Sequence, residues 1–481
     1  MYPDEPKELP YWIPYFGHAL GFMNNVQQML TRGREHFGNT REPFALTLGG
    51  QKLYVLTSPE DVKILYKNAK VFTFDEVVID VSVTFGISHA ALLRMRQKPA
   101  FPDGDPIYSE FSVQNMHTLN LSELNGEIWK QELYPGQGLE ALLKKLVPLI
   151  DMSLQSETQS KYSIEQHLSR STGHPVSLLK WTEEVMMDAG TIGLFGTKIL
   201  DLDPKLVQKF LTFDDENWKL WYKWPNASAM HAAKTTMIKT IEDYLSLPQE
   251  ERSDAAHIVD LIQKTTNALG LSKKDIAASL AMLYWVFNTN TYKVCFWALS
   301  HIMYDTSLFD RIRKESESAF CDGKLDLEEL SRCPLLDALV AETLRYYSAS
   351  YSIRTVAQPT ILGGKKFRKG SRIIAPFRQL HFDHTVYGHD NQIFDPDRFL
   401  RDKTLAREVS YRPFGGGTTY CPGRFLAKQE VKVFVALMLH RFELSLEDEQ
   451  EFPMIELGKP TTGIAGPVAG GDITVRVKAL F

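Results

Sequence analysis

The spacing of hydrophobic residues changes along this chain. Around residues 44 to 57 they alternate with polar ones, and the alternation breaks at Gly49 and Gly50, as is typical of a β-hairpin. Ser58 and Pro59 follow, a pair that favours a helix start with serine as the N-cap. From about residue 139 to 346, apolar residues recur every three or four positions, which predicts helices. The pattern indicates a mainly α protein with a small β-rich region.

The run from residue 274 to 304 is apolar on nearly all sides, so we predict one long helix buried in a large protein. Its polar interruption is the segment 288–291, and Lys293 lies beside it. Buried polar groups need partners. The interruption therefore marks either a helix distortion, in which a threonine bonds the preceding turn, or a ligand cavity.

Composition narrows the class of protein. The chain has 481 residues, 44% of them hydrophobic, and no Gly/Ser-rich or Pro-rich linker, so we interpret residues 1–481 as a single domain. Its 54 basic and 59 acidic residues give no general attraction to nucleic acid. No apolar run reaches the length of about 18 residues that a membrane span needs. The four cysteines are far apart and lack CxxC spacing, which argues against a disulfide framework.

The strongest local signal is the segment 414–430. Three consecutive glycines precede Cys421, and Pro422, Gly423 and an amphipathic helix follow it. Backbone N–H groups and the positive end of that helix favour a thiolate, the form of cysteine that binds metals. A buried, unreactive cysteine beside a glycine-rich turn fits the same spacing.

Residues of the segment 414–430 and of two other segments match the sequence motifs of one known family. Phe414, Gly417, Cys421 and Gly423 match the signature of the cytochrome P450 family, and a Glu-x-x-Arg motif and a Phe-Asp-Pro-Asp-Arg-Phe segment occur at the family's spacing. These supply Glu342, Arg345 and Arg398. The chain thus resembles the haem-thiolate monooxygenases. Within that family it looks like the group of sterol 7α- and 12α-hydroxylases and prostacyclin synthase, over nearly its whole length, on the segments 12–19, 183–196 and 290–297 and on Thr419 ahead of Cys421.

The resemblance implies the cytochrome P450 fold, with haem b between a long distal helix and the proximal loop of Cys421, whose sulfur would hold the iron. It also implies that Arg354 bonds a haem propionate, with further cofactor contacts from Phe414, Gly415, Thr419 and Arg424. Thr419 stands where many members have Arg or His, and we find no Trp-x-x-x-Arg near 129–145, so the propionate contacts are only partly assigned.

The distal helix departs from the family. Lys293 and Val294 stand where most members carry an acid and an alcohol that deliver protons to dioxygen. Asn290 and Thr291 remain as candidate catalytic residues. Lys293 either points at the substrate as an electrophile or reaches a carboxylate or carbonyl from a stem packed in the core.

Three functional hypotheses stay open. In the first, Asn290 or Thr291 organises proton delivery and one oxygen atom of O2 enters a large apolar substrate, such as a sterol, a terpenoid or another secondary metabolite. In the second, the chain rearranges an already oxygenated peroxide or epoxide as an isomerase or dehydratase, without a reductase. In the third, it binds haem without turnover.

The resemblance also implies partners and a location. Electrons would come from NADPH through a separate NADPH-cytochrome P450 reductase. The chain would be a monomer at the endoplasmic reticulum membrane, its catalytic domain facing the cytosol and its N-terminal anchor removed before Met1. Candidate pocket residues are Val77 to Phe85, Trp218 to Trp224, Trp285, Asn288, Tyr292, Ser350 to Ile353, and Thr461 to Ile464.

Overall fold

The computed structural model describes residues 4–111, 116–154, 173–222 and 225–480. They divide into two units, the first from residues 1–78, 297–421 and 449–473, and the second from residues 79–296, 422–448 and 474–481. The interpretation of residues 1–481 as one domain stays a prediction.

Helices make up most of the described chain. They are α1 Ala19–Asn24, α2 Val26–His36, α3 Pro59–Lys67, α4 Asp75–Phe85, α5 His89–Met95, α6 Leu121–Leu133, α7 Gln137–Ser153, α8 Leu178–Phe195, α9 Lys198–Leu202, α10 Leu206–Glu216, α11 Trp218–Tyr222, α12 Ser228–Tyr244, α13 His257–Ala268, α14 Lys273–Asn288, α15 Thr291–Tyr304, α16 Thr306–Glu317, α17 Leu327–Leu330, α18 Pro334–Tyr347, α19 Phe377–His381, α20 His384–Tyr387, α21 Asp397–Arg401 and α22 Arg424–Arg441. Within the described ranges, no helix combines the length and apolar character needed to cross a membrane.

The strands are short and few, as the sequence pattern predicts. They are β1 Lys7–Glu8, β2 Phe44–Leu48, β3 Gln51–Val55, β4 Phe72–Thr73, β5 His174–Ser177, β6 Phe320–Cys321, β7 Lys324–Leu325, β8 Tyr351–Val356, β9 Thr360–Leu362, β10 Lys365–Phe367, β11 Arg372–Pro376, β12 Phe442–Leu446 and β13 Thr474–Ala479.

The first unit contains a six-stranded sheet in the order β1-β2-β3-β11-β8-β4. β2 and β3 form the predicted hairpin, β3 runs parallel to β11, and β11 runs antiparallel to β8. Val62 and Leu65 of α3 are buried in the same apolar cluster as residues of this sheet, and Ser58 caps α3 as predicted. The register places Arg354 of β8 opposite Ile373 of β11, which fixes the backbone that carries Arg354.

A buried ion pair joins two motifs of the first unit. Glu342 and Arg345 of α18 approach to 2.7 Å, and both side chains are fully buried. Arg345 also donates to the carbonyls of His381 and Asn391, at 3.0 and 2.9 Å, and Arg398 Nε lies 3.9 Å from Glu342 Oε1. Burial raises the pKa of Glu342, and the Arg345 guanidinium opposes that rise. The Glu-x-x-Arg motif and the Phe-Asp-Pro-Asp-Arg-Phe segment therefore meet in one buried charge network.

The second unit is mostly helical. α7 packs on α8, α10 packs on α12, and α12 packs on α14. One small antiparallel sheet, in the order β12-β13-β5, completes the described part of this unit. Apolar residues cover nearly the whole circumference of α22 from Val431 to Leu439, so this part of the helix is buried on all sides.

The prediction of one helix from 274 to 304 is wrong. α14 ends at Asn288, α15 begins at Thr291, and Thr289 and Asn290 form a turn. Asn288 Nδ2 donates to the carbonyl of Tyr284 at 2.9 Å, while the hydroxyl of Thr289 donates to the Asp214 carboxylate rather than to its own helix. Side chains that bond elsewhere compete with the helical backbone. The helix is therefore distorted at the polar interruption, but Asn288, and not a threonine as predicted, bonds the preceding turn.

Candidate active site

A short loop places Cys421 at the end of the glycine-rich segment. The Cys421 N–H donates to the carbonyl of Phe414 at 3.0 Å, which closes the loop. Gly415 and Gly417 adopt positive φ angles of 76° and 63°, a conformation that glycine tolerates best. A Cβ on Gly417 would lie 2.9 Å from the carbonyl oxygen of Tyr66, so bulk is excluded there as well.

The Cys421 side chain is half-buried. All four cysteines lie in the described part of the chain, and none is in a disulfide. A partly accessible thiol in a loop rich in backbone N–H groups is suited to metal ligation. The residues present therefore fit the thiolate ligand that the resemblance implies.

Arg354 lies in the same unit, buried on β8. Its Nη1 donates to the carbonyl of Ile353 at 2.6 Å and its Nη2 to the hydroxyl of Thr419. The guanidinium centre lies 4.9 Å from the ring of Phe74 and 5.3 Å from that of Tyr66. Burial lowers the pKa of Arg354.

The surroundings of Arg354 fit a haem propionate. Among the described residues, no carboxylate lies within ion-pair distance of its guanidinium. A buried cation without an acidic partner is costly unless a ligand supplies the negative charge. Thr419, where many cytochromes P450 have Arg or His, here binds and orients Arg354.

Substitution of Arg354 by methionine should weaken haem retention. If the guanidinium bonds a propionate, its loss removes charge-assisted hydrogen bonds worth about 1.5–3 kcal/mol. The rate of haem transfer to apomyoglobin measures the effect. Arg401→Met is the control, because Arg401 is exposed and pairs with Asp395. Equal transfer rates for the two variants would contradict the propionate role.

The remaining predicted cofactor residues lie in two places, the loop of Cys421 and the start of α22. Phe414 and Gly415 are half-buried in the loop of Cys421. Arg424 begins α22 in the second unit, and its guanidinium centre lies 4.5 Å from the ring of Tyr134 and 4.2 Å from that of Phe425. Their roles as cofactor contacts stay predictions.

The distal candidates lie at the break between α14 and α15. Asn290 is half-buried in the turn, and Thr291 is buried at the first position of α15. Thr291 Oγ1 lies 3.5 Å from Glu430 Oε2 of α22, at the outer limit of a hydrogen bond. Glu430 is fully buried, and desolvation raises its pKa to about 8. A carboxyl group that holds a proton at neutral pH therefore lies beside Thr291.

Lys293 does not act as an isolated electrophile in this structure. Its Nζ lies 2.7 Å from Asp214 Oδ2, and the Asp214 side chain is fully buried. Tyr292 donates its hydroxyl to the same oxygen at 2.9 Å. Of the two orientations that the sequence left open, the structure has the one in which Lys293 reaches a carboxylate.

An accessible stripe runs along α14 towards the break. Four residues between 275 and 292 keep some exposure, and three of them, Met282, Val286 and Asn290, recur every four positions and so share one face. Val286 is 38% exposed, although Leu283, Tyr284 and Trp285 before it on the helix are buried. This face is apolar up to Asn290.

The candidate pocket residues are only partly accounted for. Trp285 of α14 lies 5.5 Å from Phe85 and 6.5 Å from Phe213, ring centre to ring centre, in a buried aromatic cluster. Asn288 and Tyr292 bond the protein itself, the former to the Tyr284 carbonyl and the latter to the Asp214 carboxylate. The end of the predicted range from Trp218 to Trp224, residues 223 and 224, lies outside the described residues.

Sequence reasoning missed Glu430 and Asp214. Glu430 lies nine positions after Cys421, in the mostly polar stretch from Lys428 to Lys432, so the local pattern looks like a solvated helix face and does not mark this residue as buried. Asp214 belongs to the acidic run Asp214-Asp215-Glu216, which looks like a solvated helix end. Nothing in the local pattern marks its first residue as buried.

Comparisons with known proteins show the family and the fold of the chain. The family model described as Cytochrome P450 matches residues 149–471, more than half of the chain. Among solved structures, a cyanobacterial CYP120A1 with bound retinoic acid superposes with a TM-score of 0.74 at 19% identity, covering 99% of both chains. That likeness shows the fold, mainly helical with a small β region.

Curated relatives span nearly the whole chain. Cytochrome P450 monooxygenase poxD of Penicillium oxalicum is 26% identical and covers 92% of this chain and 88% of its own length. Cytochrome P450 7A1 of Oryctolagus cuniculus is 26% identical, covering 98% of this chain and 93% of its own. The human 7-alpha-hydroxycholest-4-en-3-one 12-alpha-hydroxylase is 24% identical, covering 93% and 87%. The chain belongs to the cytochrome P450 family and is an oxidoreductase of the haem b monooxygenase class.

Proposed function

We propose that this chain inserts one oxygen atom of O2 into a C–H bond of a large apolar molecule, such as a sterol or terpenoid. The second oxygen atom leaves as water. NADPH supplies two electrons through NADPH-cytochrome P450 reductase, and two protons are consumed at the site. Haem b, when bound, supplies the activation of dioxygen, and Cys421 is its proposed thiolate ligand.

The pairing of Thr291 with Glu430 carries this proposal. Oxygen insertion needs a proton donor, and Lys293 replaces the acid that most members carry. Glu430 supplies that donor from α22, because burial keeps its carboxyl group protonated at neutral pH, 3.5 Å from the Thr291 hydroxyl. A rearrangement of an oxygenated substrate has no need of such a donor. The pair therefore favours oxygen insertion over rearrangement or haem binding without turnover.

Thr291 and Asn290 are the proposed catalytic residues. Thr291 receives the proton of Glu430 on its hydroxyl and passes on its own, and Asn290 holds the polar end of the accessible face. Another ionisable group near Glu430 is Cys295, and burial raises the pKa of that thiol well above its ordinary value. Of these two groups, Glu430 is therefore the one that titrates near neutral pH.

The apolar character of the substrate rests on the face of Met282 and Val286 and on the aromatic cluster around Trp285. Such linings suit large apolar ligands with few polar groups. Relatives named as a cholesterol 7-alpha-monooxygenase and as 12-alpha-hydroxylases support a molecule of sterol size.

For cofactor binding we propose that Arg354, oriented by Thr419, bonds a propionate, with further contacts from Phe414, Gly415 and Arg424.

We propose a monomer at the endoplasmic reticulum membrane, with the catalytic domain facing the cytosol and an N-terminal anchor. Exposed aromatic residues near the start of the described chain, above all Trp12 at 98% exposure, support a lipid-water boundary there.

Substitution of Glu430 by glutamine tests the proton donor. In the reductase-reconstituted protein without added substrate, reduction of O2 to water consumes two NADPH, whereas release of hydrogen peroxide consumes one. Glutamine keeps the shape but cannot transfer the proton, so water formation should fall about a hundredfold while NADPH consumption continues as peroxide. Peroxide released per NADPH consumed is the measurement.

The pH dependence gives a second test of the same variant. Glu430 is protonated below about pH 8 and ionised above it, so in the wild type the peroxide yield should rise as pH passes through that range. In Glu430→Gln this rise should be absent. The control is Glu132→Gln, another buried glutamate of the second unit, which pairs with His257. A Glu430→Gln variant with wild-type yields at every pH would contradict the proton donor.

A further inference from the structure

One buried carboxylate of the second unit accepts hydrogen bonds from four side chains. Asp214 lies on α10, and its Oδ2 accepts from Lys293 Nζ at 2.7 Å and from the Tyr292 hydroxyl at 2.9 Å. Its Oδ1 accepts from the Thr289 hydroxyl and from Asn217 Nδ2, the latter at 3.0 Å. Both oxygens are therefore fully used.

The donors come from both sides of the helix break. Thr289 follows the last residue of α14, whereas Tyr292 and Lys293 lie in the first turn of α15. Asn290 and Thr291, the proposed catalytic residues, lie between these anchors. A single side chain on α10 thus holds the two ends of the segment that carries them.

Stability alone does not account for this arrangement. A buried ion pair is often no more stabilising than apolar residues of the same volume, because both charges lose their hydration. Such a pair does fix the relative positions of the residues that form it. Here the hydroxyl groups of Thr289 and Tyr292 add two further hydrogen bonds to Asp214. Tyr292 stays a neutral donor, because burial and the Asp214 charge raise the pKa of its phenol well above its ordinary value.

We propose that Asp214 is a positioning residue for oxygenation: it fixes the Thr289–Asn290 turn and thereby holds the Thr291 hydroxyl within reach of Glu430. This inference rests on the proposed function. Lys293, which replaces the usual acid of the family, serves here as the counter-ion of Asp214. On this proposal, the helix break positions Thr291 for proton transfer from Glu430.

The test compares two aspartate-to-asparagine variants of the reductase-reconstituted protein without added substrate. Asp214→Asn replaces one acceptor oxygen with a donor group and should release one side of the break. Since a misplacement of about 1 Å can cost a hundredfold in rate, we expect water formation to fall on the order of tenfold, with NADPH oxidation continuing as peroxide. Peroxide released per NADPH consumed is again the readout.

Asp203→Asn is the matched control. Asp203 is another largely buried aspartate of the second unit, paired with Lys209 at 2.7 Å and with Thr240 at 2.9 Å, and neither partner lies at the break. A purely structural role predicts that both variants lose stability and keep the wild-type peroxide yield. Positioning predicts a changed yield in Asp214→Asn alone.

A milder variant keeps the test decisive if Asp214→Asn fails to fold. Tyr292→Phe removes one hydroxyl anchor and leaves the ion pair intact, and it should raise the peroxide yield in the same direction by a smaller factor. A wild-type protein that already releases one peroxide per NADPH would contradict the proton donor and hence the proposed function. A wild type that forms water, with both variants indistinguishable from Asp203→Asn, would overturn only the role of Asp214.

Discussion

Arg345→Met is expected to lower the free energy of unfolding by about 3–5 kcal/mol. The substitution leaves Glu342 in a site where neither side chain of the original pair has any exposure, with Arg398, whose Nε lies 3.9 Å away, as its remaining counter-ion. It also removes the donors to the carbonyls of His381 and Asn391, so the segment that these residues belong to loses two of its hydrogen bonds to α18. The urea concentration at half-unfolding, followed by circular dichroism, measures the loss.

Arg332→Met is the comparison for this variant. Arg332 also pairs with glutamates of its own neighbourhood, Glu328 and Glu329, but it is 60% exposed. Exposed pairs contribute only about 0–1 kcal/mol. If the two variants unfold at the same urea concentration, the buried network does not contribute the predicted value of about 3–5 kcal/mol to the free energy of unfolding.

Cys421→Ser is expected to abolish oxygenation and the thiolate signature of the haem. Serine keeps the size of the side chain but is not a thiolate, so the ferrous carbonyl complex should lose the red-shifted Soret band that thiolate ligation gives. Loop geometry should survive, because the bond that closes it uses the Cys421 backbone N–H and the Phe414 carbonyl. Absorption spectra of the reduced, carbon monoxide-treated protein record the result.

Cys321→Ser provides the matched control, since Cys321 is exposed on β6 and lies far from the loop in sequence. It should retain both the band and the activity. A Cys421→Ser protein with an unshifted thiolate band would show that another residue holds the iron.

Local signals in the sequence predicted the elements that local interactions decide. Gly49 and Gly50 form the turn between β2 and β3, and Ser58 caps the helix that Pro59 starts. Glu342 and Arg345 are one helical turn apart, so their pairing follows from spacing as soon as the helix is accepted. The family resemblance was needed only to connect Arg398 to them.

The distal site was less predictable because its geometry depends on contacts between distant residues. Asp214 and Lys293 are 79 positions apart, and Thr291 and Glu430 are 139 apart. Hydrophobic periodicity supports a continuous helix through Asn288, and the polar interruption left a distortion and a cavity both open. The bond from Thr289 to Asp214 accompanies the turn, and no local pattern predicts that bond. The sequence did show that Asn290 and Thr291 were unusual, but not which carboxyl group they would meet.

The most direct test of oxygen insertion uses isotopically labelled dioxygen. The protein, NADPH-cytochrome P450 reductase and NADPH are incubated with apolar metabolites extracted from the source organism, and products are analysed by mass spectrometry. We predict a product that carries one labelled oxygen atom and that forms only when NADPH and dioxygen are both present. An unlabelled product formed without NADPH or dioxygen would contradict the monooxygenase mechanism and identify a rearranging enzyme.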